Sequence, residues 1–70
     1  MKIKVNGELK SLKTDPVKSS LRSVIEELGY QSHQVVVEHN GLIVPSDNWT
    51  SQLIEDGDNL EIVTIVGGGS

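Results

Sequence analysis

The 70-residue chain offers few side chains able to do covalent chemistry. It has no Cys, which removes a thiol nucleophile, a disulfide framework and any thiolate metal site. His33 and His39 stand apart with no third ligand evident, so they read as solvent-facing or hydrogen-bonded bystanders and not as a metal centre. Asp56-Gly57-Asp58 lacks the ligand spacing of a calcium loop and reads as a tight turn with Gly57 at positive φ. Glu26 and Glu27 are neighbours on a predicted helix and point apart, so they make no acid–base pair. The serines and histidines form no evident triad. What remains is the chain end, Gly67-Gly68-Gly69-Ser70, whose chemistry can only be that of the backbone. Glycine lacks Cβ, so such a run can enter a narrow channel and approach a bound group closely. Composition alone reads it as a terminus without regular structure.

The elements that would present that end are legible upstream. Ile3 and Val5 alternate with Lys2 and Lys4, which predicts a strand with one apolar face. Asn6-Gly7 predicts a two-residue hairpin turn, and Glu8 to Lys13 the returning strand, with Leu9 or Leu12 inward. Leu21, Val24, Ile25 and Leu28 form one apolar helical stripe, with Ser20 as N-cap and Gly29 as C-terminal stop. An earlier helix start at Asp15-Pro16 is open. Val35-Val36-Val37 predicts a strand apolar on both faces, hence central. Asn40-Gly41 is a second hairpin turn, Leu42-Ile43-Val44 the next strand, and Pro45 its end. Ser46 to Ile54 predicts a short helical turn and a short strand, with Trp49 packed over the core edge. Leu60 to Val66 is the last strand.

The order ββαββ followed by a last strand defines an α+β fold of the β-grasp, ubiquitin-like kind. A mixed sheet of four to five strands wraps on one α-helix, with the first and last strands parallel at the sheet centre. Residues 1–66 are expected to form this domain and residues 67–70 a flexible glycine tail.

Composition narrows the function classes. The hydrophobic fraction is 36%, with no Ala or Phe, which favours strands and leaves little room for a deep enzyme cleft. All six basic residues lie in the first 22 positions beside two acids; the rest carries eight acids and no Lys or Arg. The net charge of −4 therefore divides into +4 and −8, and the acidic part suits a partner with a basic surface. No basic stripe with interleaved aromatics speaks for nucleic acid, and no apolar run approaches a membrane span. A cytoplasmic monomer is the expectation.

The run Asn40-Gly41-Leu42-Ile43-Val44-Pro45-Ser46-Asp47-Asn48-Trp49, followed by Asp56-Gly57-Asp58, a strand and a glycine tail, resembles the ThiS family of thiamine-biosynthesis sulfur carriers. The helix from Ser20 to Leu28 fits as well, and the resemblance covers essentially the whole chain. It departs at the end. Gly68-Gly69 align with the terminal Gly-Gly of the family, and Ser70 lies beyond it, so a native Ser70 implies trimming before reaction.

The resemblance implies a protein cosubstrate without catalytic residues or bound cofactor. A separate E1-like adenylyltransferase of the ThiF type would use ATP to adenylate Gly69. A persulfide sulfur would displace AMP and leave a C-terminal thiocarboxylate, and a thiazole synthase of the ThiG type would take that sulfur. Gly67 and Gly68 would supply reach. Alternation along the last strand points Leu60 and Ile62 inward and Glu61, Val63 and Ile65 outward. The expected partner-binding residues are Val63, Ile65 and Val66, rimmed by Glu61 and Asp58. Two other readings stay open: the small-subunit carrier of molybdopterin synthase, and a ubiquitin-like binding module that transfers nothing.

Overall fold

The structure is a computed structural model and describes residues 1–13 and 19–65. Within these, five strands form one sheet: β1 (Lys2–Val5), β2 (Glu8–Ser11), β3 (Val35–His39), β4 (Leu42–Ile43) and β5 (Asn59–Thr64). A single α-helix, α1 (Leu21–Glu27), crosses one sheet face, and 3-10 turns occupy Ser32–Gln34 and Ser46–Asn48. The sheet order is β2-β1-β5-β3-β4. β1 and β5 run parallel, and the other pairs are antiparallel. This is the expected β-grasp arrangement.

Local chemistry explains each boundary. Asn6 (φ 52) and Gly7 (φ 83), like Asn40 (φ 50) and Gly41 (φ 90), are both left-handed, as a type I′ hairpin turn requires. Ser20 accepts a hydrogen bond from the Ser23 amide and caps α1. The helix ends with Gly29 at φ 88; the Gly29 amide bonds Glu26 and the Tyr30 amide bonds Ile25, closing a Schellman motif. Leu21, Val24 and Ile25 from α1 pack on Ile3, Val5, Val37, Leu60 and Ile62 from the sheet. Trp49 is fully buried beside them and donates its indole N–H to the Val44 carbonyl at 2.8 Å.

β3 is an inner strand between β5 and β4, and the first and last strands pair in parallel at the sheet centre, as expected. Five other expectations are corrected. Val36 is 39% exposed: β3 buries only Val35 and Val37, and its other face is open. The returning strand stops at Ser11, where Leu12 turns into the core and Leu9 stays 64% exposed. β4 spans only Leu42–Ile43, although the Val44 amide still bonds the Val37 carbonyl at 2.9 Å. β5 ends at Thr64, and Val66 lies outside the described residues, as does the alternative helix start at Asp15-Pro16. In place of the short strand expected after the Trp49 turn, Leu53 makes only an isolated bridge to Ser20.

Candidate functional site

The functional question centres on how β5 leaves the sheet. Leu60 and Ile62 are buried, and Glu61, Val63 and Ile65 are exposed, so the alternation read from the sequence is the alternation observed. Val63 exposes 60% of its surface and Ile65 53%. Both lie on the sheet face opposite α1.

Cross-strand register adds residues that the last strand alone does not reveal. Val36 sits directly opposite Val63, and Glu38 opposite Glu61. Ile43 sits opposite Glu38 on the other side. Directly paired residues share a face, so Val36, Ile43, Val63 and Ile65 form one exposed apolar patch with Glu38 and Glu61 beside it. The signal was available: a two-residue turn at Asn40-Gly41 forces Ile43 opposite Glu38 and onto the Val36 face. Next to the patch, Val36, Ile43, Pro45, His33 and Ile65 line part of a cleft of about 320 Å³.

Charge on this face is uneven. Like charges directly opposite each other destabilise an antiparallel pair, and Glu38 and Glu61 are so placed. Among the described residues the ion pairs are Lys10 with Glu8, Arg22 with Glu26 and His39 with Asp58; none relieves Glu38 or Glu61. Lys2 and Lys4 project from the same open face at β1, away from the patch.

Asp58 stands elsewhere than expected. Instead of rimming the patch, its carboxylate turns inward: Oδ2 lies 2.7 Å from His39 Nε2 and accepts from the Glu55 amide at 2.9 Å, and Oδ1 faces Asn40 Nδ2 at 3.4 Å. Burial pushes the carboxyl upward, but the hydrogen bonds from Glu55, His39 and Asn40 and the charge of His39 outweigh it and hold Asp58 below the ordinary carboxylate value. Asp58 thereby ties the acidic turn to the β3–β4 hairpin.

Two turn asparagines do more than turn. Asn40 Oδ1 accepts from the Asn59 amide at 2.9 Å, at the start of β5. Asn6 reaches Ile62 with both halves of its carboxamide: Nδ2 donates to the carbonyl at 3.1 Å, and Oδ1 accepts from the amide at 2.7 Å. On the opposite side, the Ile65 amide donates to the Gln34 carbonyl at 2.7 Å. Gly67, Gly68 and Gly69 follow outside the described residues. Among the described residues no group of three His, Cys, Asp or Glu side chains could hold a metal ion. No helix there is long and apolar enough to cross a membrane.

A five-stranded sheet on one helix, with an open apolar strand running toward a glycine pair, defines a ubiquitin-like protein of the β-grasp fold. The crystal structure of a thiamine biosynthesis protein (ThiS) from Geobacter metallireducens superimposes with a TM-score of 0.82 at 26% identity, over 99% of this chain and 100% of that one. The model of the ThiS family matches residues 3–69. The chain belongs to the ThiS family, the sulfur carriers of thiamine biosynthesis. A thiazole synthase of Paramagnetospirillum magneticum is 39% identical over all 70 residues, and the chain spans only 21% of that relative's length. The uncharacterised protein ycf40 of Pyropia yezoensis is 37% identical over 96% of this chain and 90% of its own length.

Proposed function

We propose that this chain carries sulfur as a thiocarboxylate on Gly69 and delivers it to a thiazole synthase. The observation that supports this most directly is the reach of the ThiS family match, which extends through Gly68-Gly69. In this reading residues 1–66 are the folded body and residues 67–70 the end that reacts.

A carboxylate is a poor electrophile, so the cycle begins with a ThiF-type enzyme that joins the Gly69 carboxylate to the AMP of ATP and releases pyrophosphate. The terminal sulfur of a persulfide attacks the acyl carbon and expels AMP. A thiol then breaks the sulfur–sulfur bond, leaving the thiocarboxylate on Gly69 and a disulfide on the donor. The body contributes docking. Its patch of Val36, Ile43, Val63 and Ile65 suits the apolar centre of a transient interface. Glu38 and Glu61 suit basic residues on the partner, which would relieve their mutual repulsion. The fifth of the Paramagnetospirillum thiazole synthase that is similar to this chain supports such a synthase as the receiver, since one polypeptide there holds both parts.

The test is intact-mass spectrometry of a chain ending at Gly69, incubated with ATP, the activating enzyme and a persulfide donor. The expected result is the mass gain of one oxygen replaced by sulfur, abolished when ATP is omitted. An unchanged mass, with an activating enzyme proven active on another carrier, refutes the proposal and leaves a binding module.

A further inference from the structure

We propose that Asn6 is a positioning residue for the reactive end: its carboxamide replaces the strand residue that β1 lacks and fixes the course on which β5 leaves the sheet. This rests on the sulfur-carrier reading for its functional consequence, and on geometry alone for its structural part.

β1 pairs with β5 at Lys4↔Asn59 and Val5↔Leu60 and then turns away at Asn6. The Asn6 amide still donates to the Leu60 carbonyl at 2.9 Å. Peptide groups alternate sides along a strand, so the next residue of β5 to face β1 is Ile62, where the neighbouring strand has ended. The Asn6 side chain fills that place, presenting one donor and one acceptor to the two polar groups of Ile62 at 3.1 and 2.7 Å. A primary carboxamide is suited to this because it offers both functions in one plane. The left-handed backbone at φ 52 is tolerated by Asn and swings the side chain back toward β5.

The consequence is confined to one end of β5. Thr64 pairs with Val35, and the Ile65 amide bonds Gln34, so β3 holds the strand from one side. Asn6 holds it from the other, at Ile62, immediately before the exposed Val63 and Ile65. Removing the carboxamide leaves Val63–Ile65 attached through β3 alone. The docking row and the start of the reactive segment would then have to be ordered on binding. Fixing one backbone residue costs about tenfold in affinity.

Asn40 provides the internal control. It occupies the same turn position, has the same left-handed backbone, and bonds β5 through its side chain, but at Asn59, the far end of the strand. The variants are Asn6→Gly, which keeps a turn-competent backbone, Asn40→Gly, and Asn6→Asp, which keeps the acceptor and loses the donor. Two readouts are taken: amide hydrogen exchange by NMR, and ATP–pyrophosphate exchange by the activating enzyme against carrier concentration. Asn6→Gly should speed exchange at Ile62 at least tenfold more than at Val37, and raise the carrier KM about tenfold with kcat retained. Asn6→Asp should fall between it and the parent, and it carries the test if Asn6→Gly does not fold. Asn40→Gly should leave KM unchanged. A parental KM for Asn6→Gly, or an equal rise for Asn40→Gly, overturns the positioning role, as does uniformly faster exchange across the sheet. All chains in this assay end at Gly69; if the parent then supports no ATP–pyrophosphate exchange, the sulfur-carrier reading falls, and the exchange pattern at Ile62 still decides whether Asn6 holds the strand end.

Discussion

Replacing Val63 by Asp should separate folding from docking. Val63 keeps 60% of its surface exposed, so the free domain loses the burial of only about two-fifths of a valine, on the order of 1 kcal/mol. The poorer strand preference of Asp adds about 1 kcal/mol. A loss of about 2 kcal/mol leaves an ordinary domain folded, since such domains hold roughly 5–15 kcal/mol. Docking should suffer more. The complex loses the burial of the exposed three-fifths, about 1–2 kcal/mol, and must desolvate a carboxylate with no partner, about 1–3 kcal/mol. Together these give about 3 kcal/mol, or roughly a hundredfold in Kd. Titration calorimetry against the activating enzyme and against the thiazole synthase measures this, with a cooperative melt as the folding check. Leu9→Asp is the matched control: Leu9 is 64% exposed on the same open face but lies on β2, away from the patch. A folded Val63→Asp that binds within about threefold of the parent (a change under 1 kcal/mol), or a Leu9→Asp that weakens binding equally, refutes the assignment of the face.

Three further outcomes follow from the same geometry. Trp49→Phe removes the donor to the buried Val44 carbonyl and should cost about 1–3 kcal/mol in urea unfolding, with docking unchanged. Gly29→Ala meets no atom within 4 Å of its new Cβ but is strained at φ 88, so the cost should be about 1 kcal/mol, read as a lowered midpoint. Asp58 contributes stability because its carboxyl sits below its ordinary value of 3.8 in the folded chain. That contribution is complete above the unfolded-state value and is lost as pH falls below it through the folded-state value, because the unfolded chain binds the proton first. Acid titration of unfolding should therefore steepen below about pH 4, and Asp58→Asn should flatten that segment.

The sequence was most readable where one physical signal dominated. The paired Asn-Gly turns, the α1 stripe and the Leu60–Ile62 alternation each have a single explanation, and each stands as expected. It was least readable where two explanations overlap. Asn6 and Asn40 are fully accounted for by their left-handed turns, so nothing in the sequence hinted that their carboxamides also bond β5. Asp58 looked like one more solvated acid until His39 and the Glu55 amide, distant or silent in the sequence, closed around it.

Val36 is the most instructive error. Three consecutive valines normally mean burial on both faces, yet the middle one is open and sits opposite another open valine on β5. A strand that follows its burial pattern would place a polar residue there, as it does one step along, where Glu38 meets Glu61. Departures from local patterning concentrate at functional positions. Here an apolar pair where solvent is expected and an acid pair where repulsion is expected lie side by side, on the strand that leads to the glycines. Under the proposed docking, one event, the arrival of an apolar surface flanked by basic residues, would remove both anomalies, which is why the same face carries the Val63→Asp test.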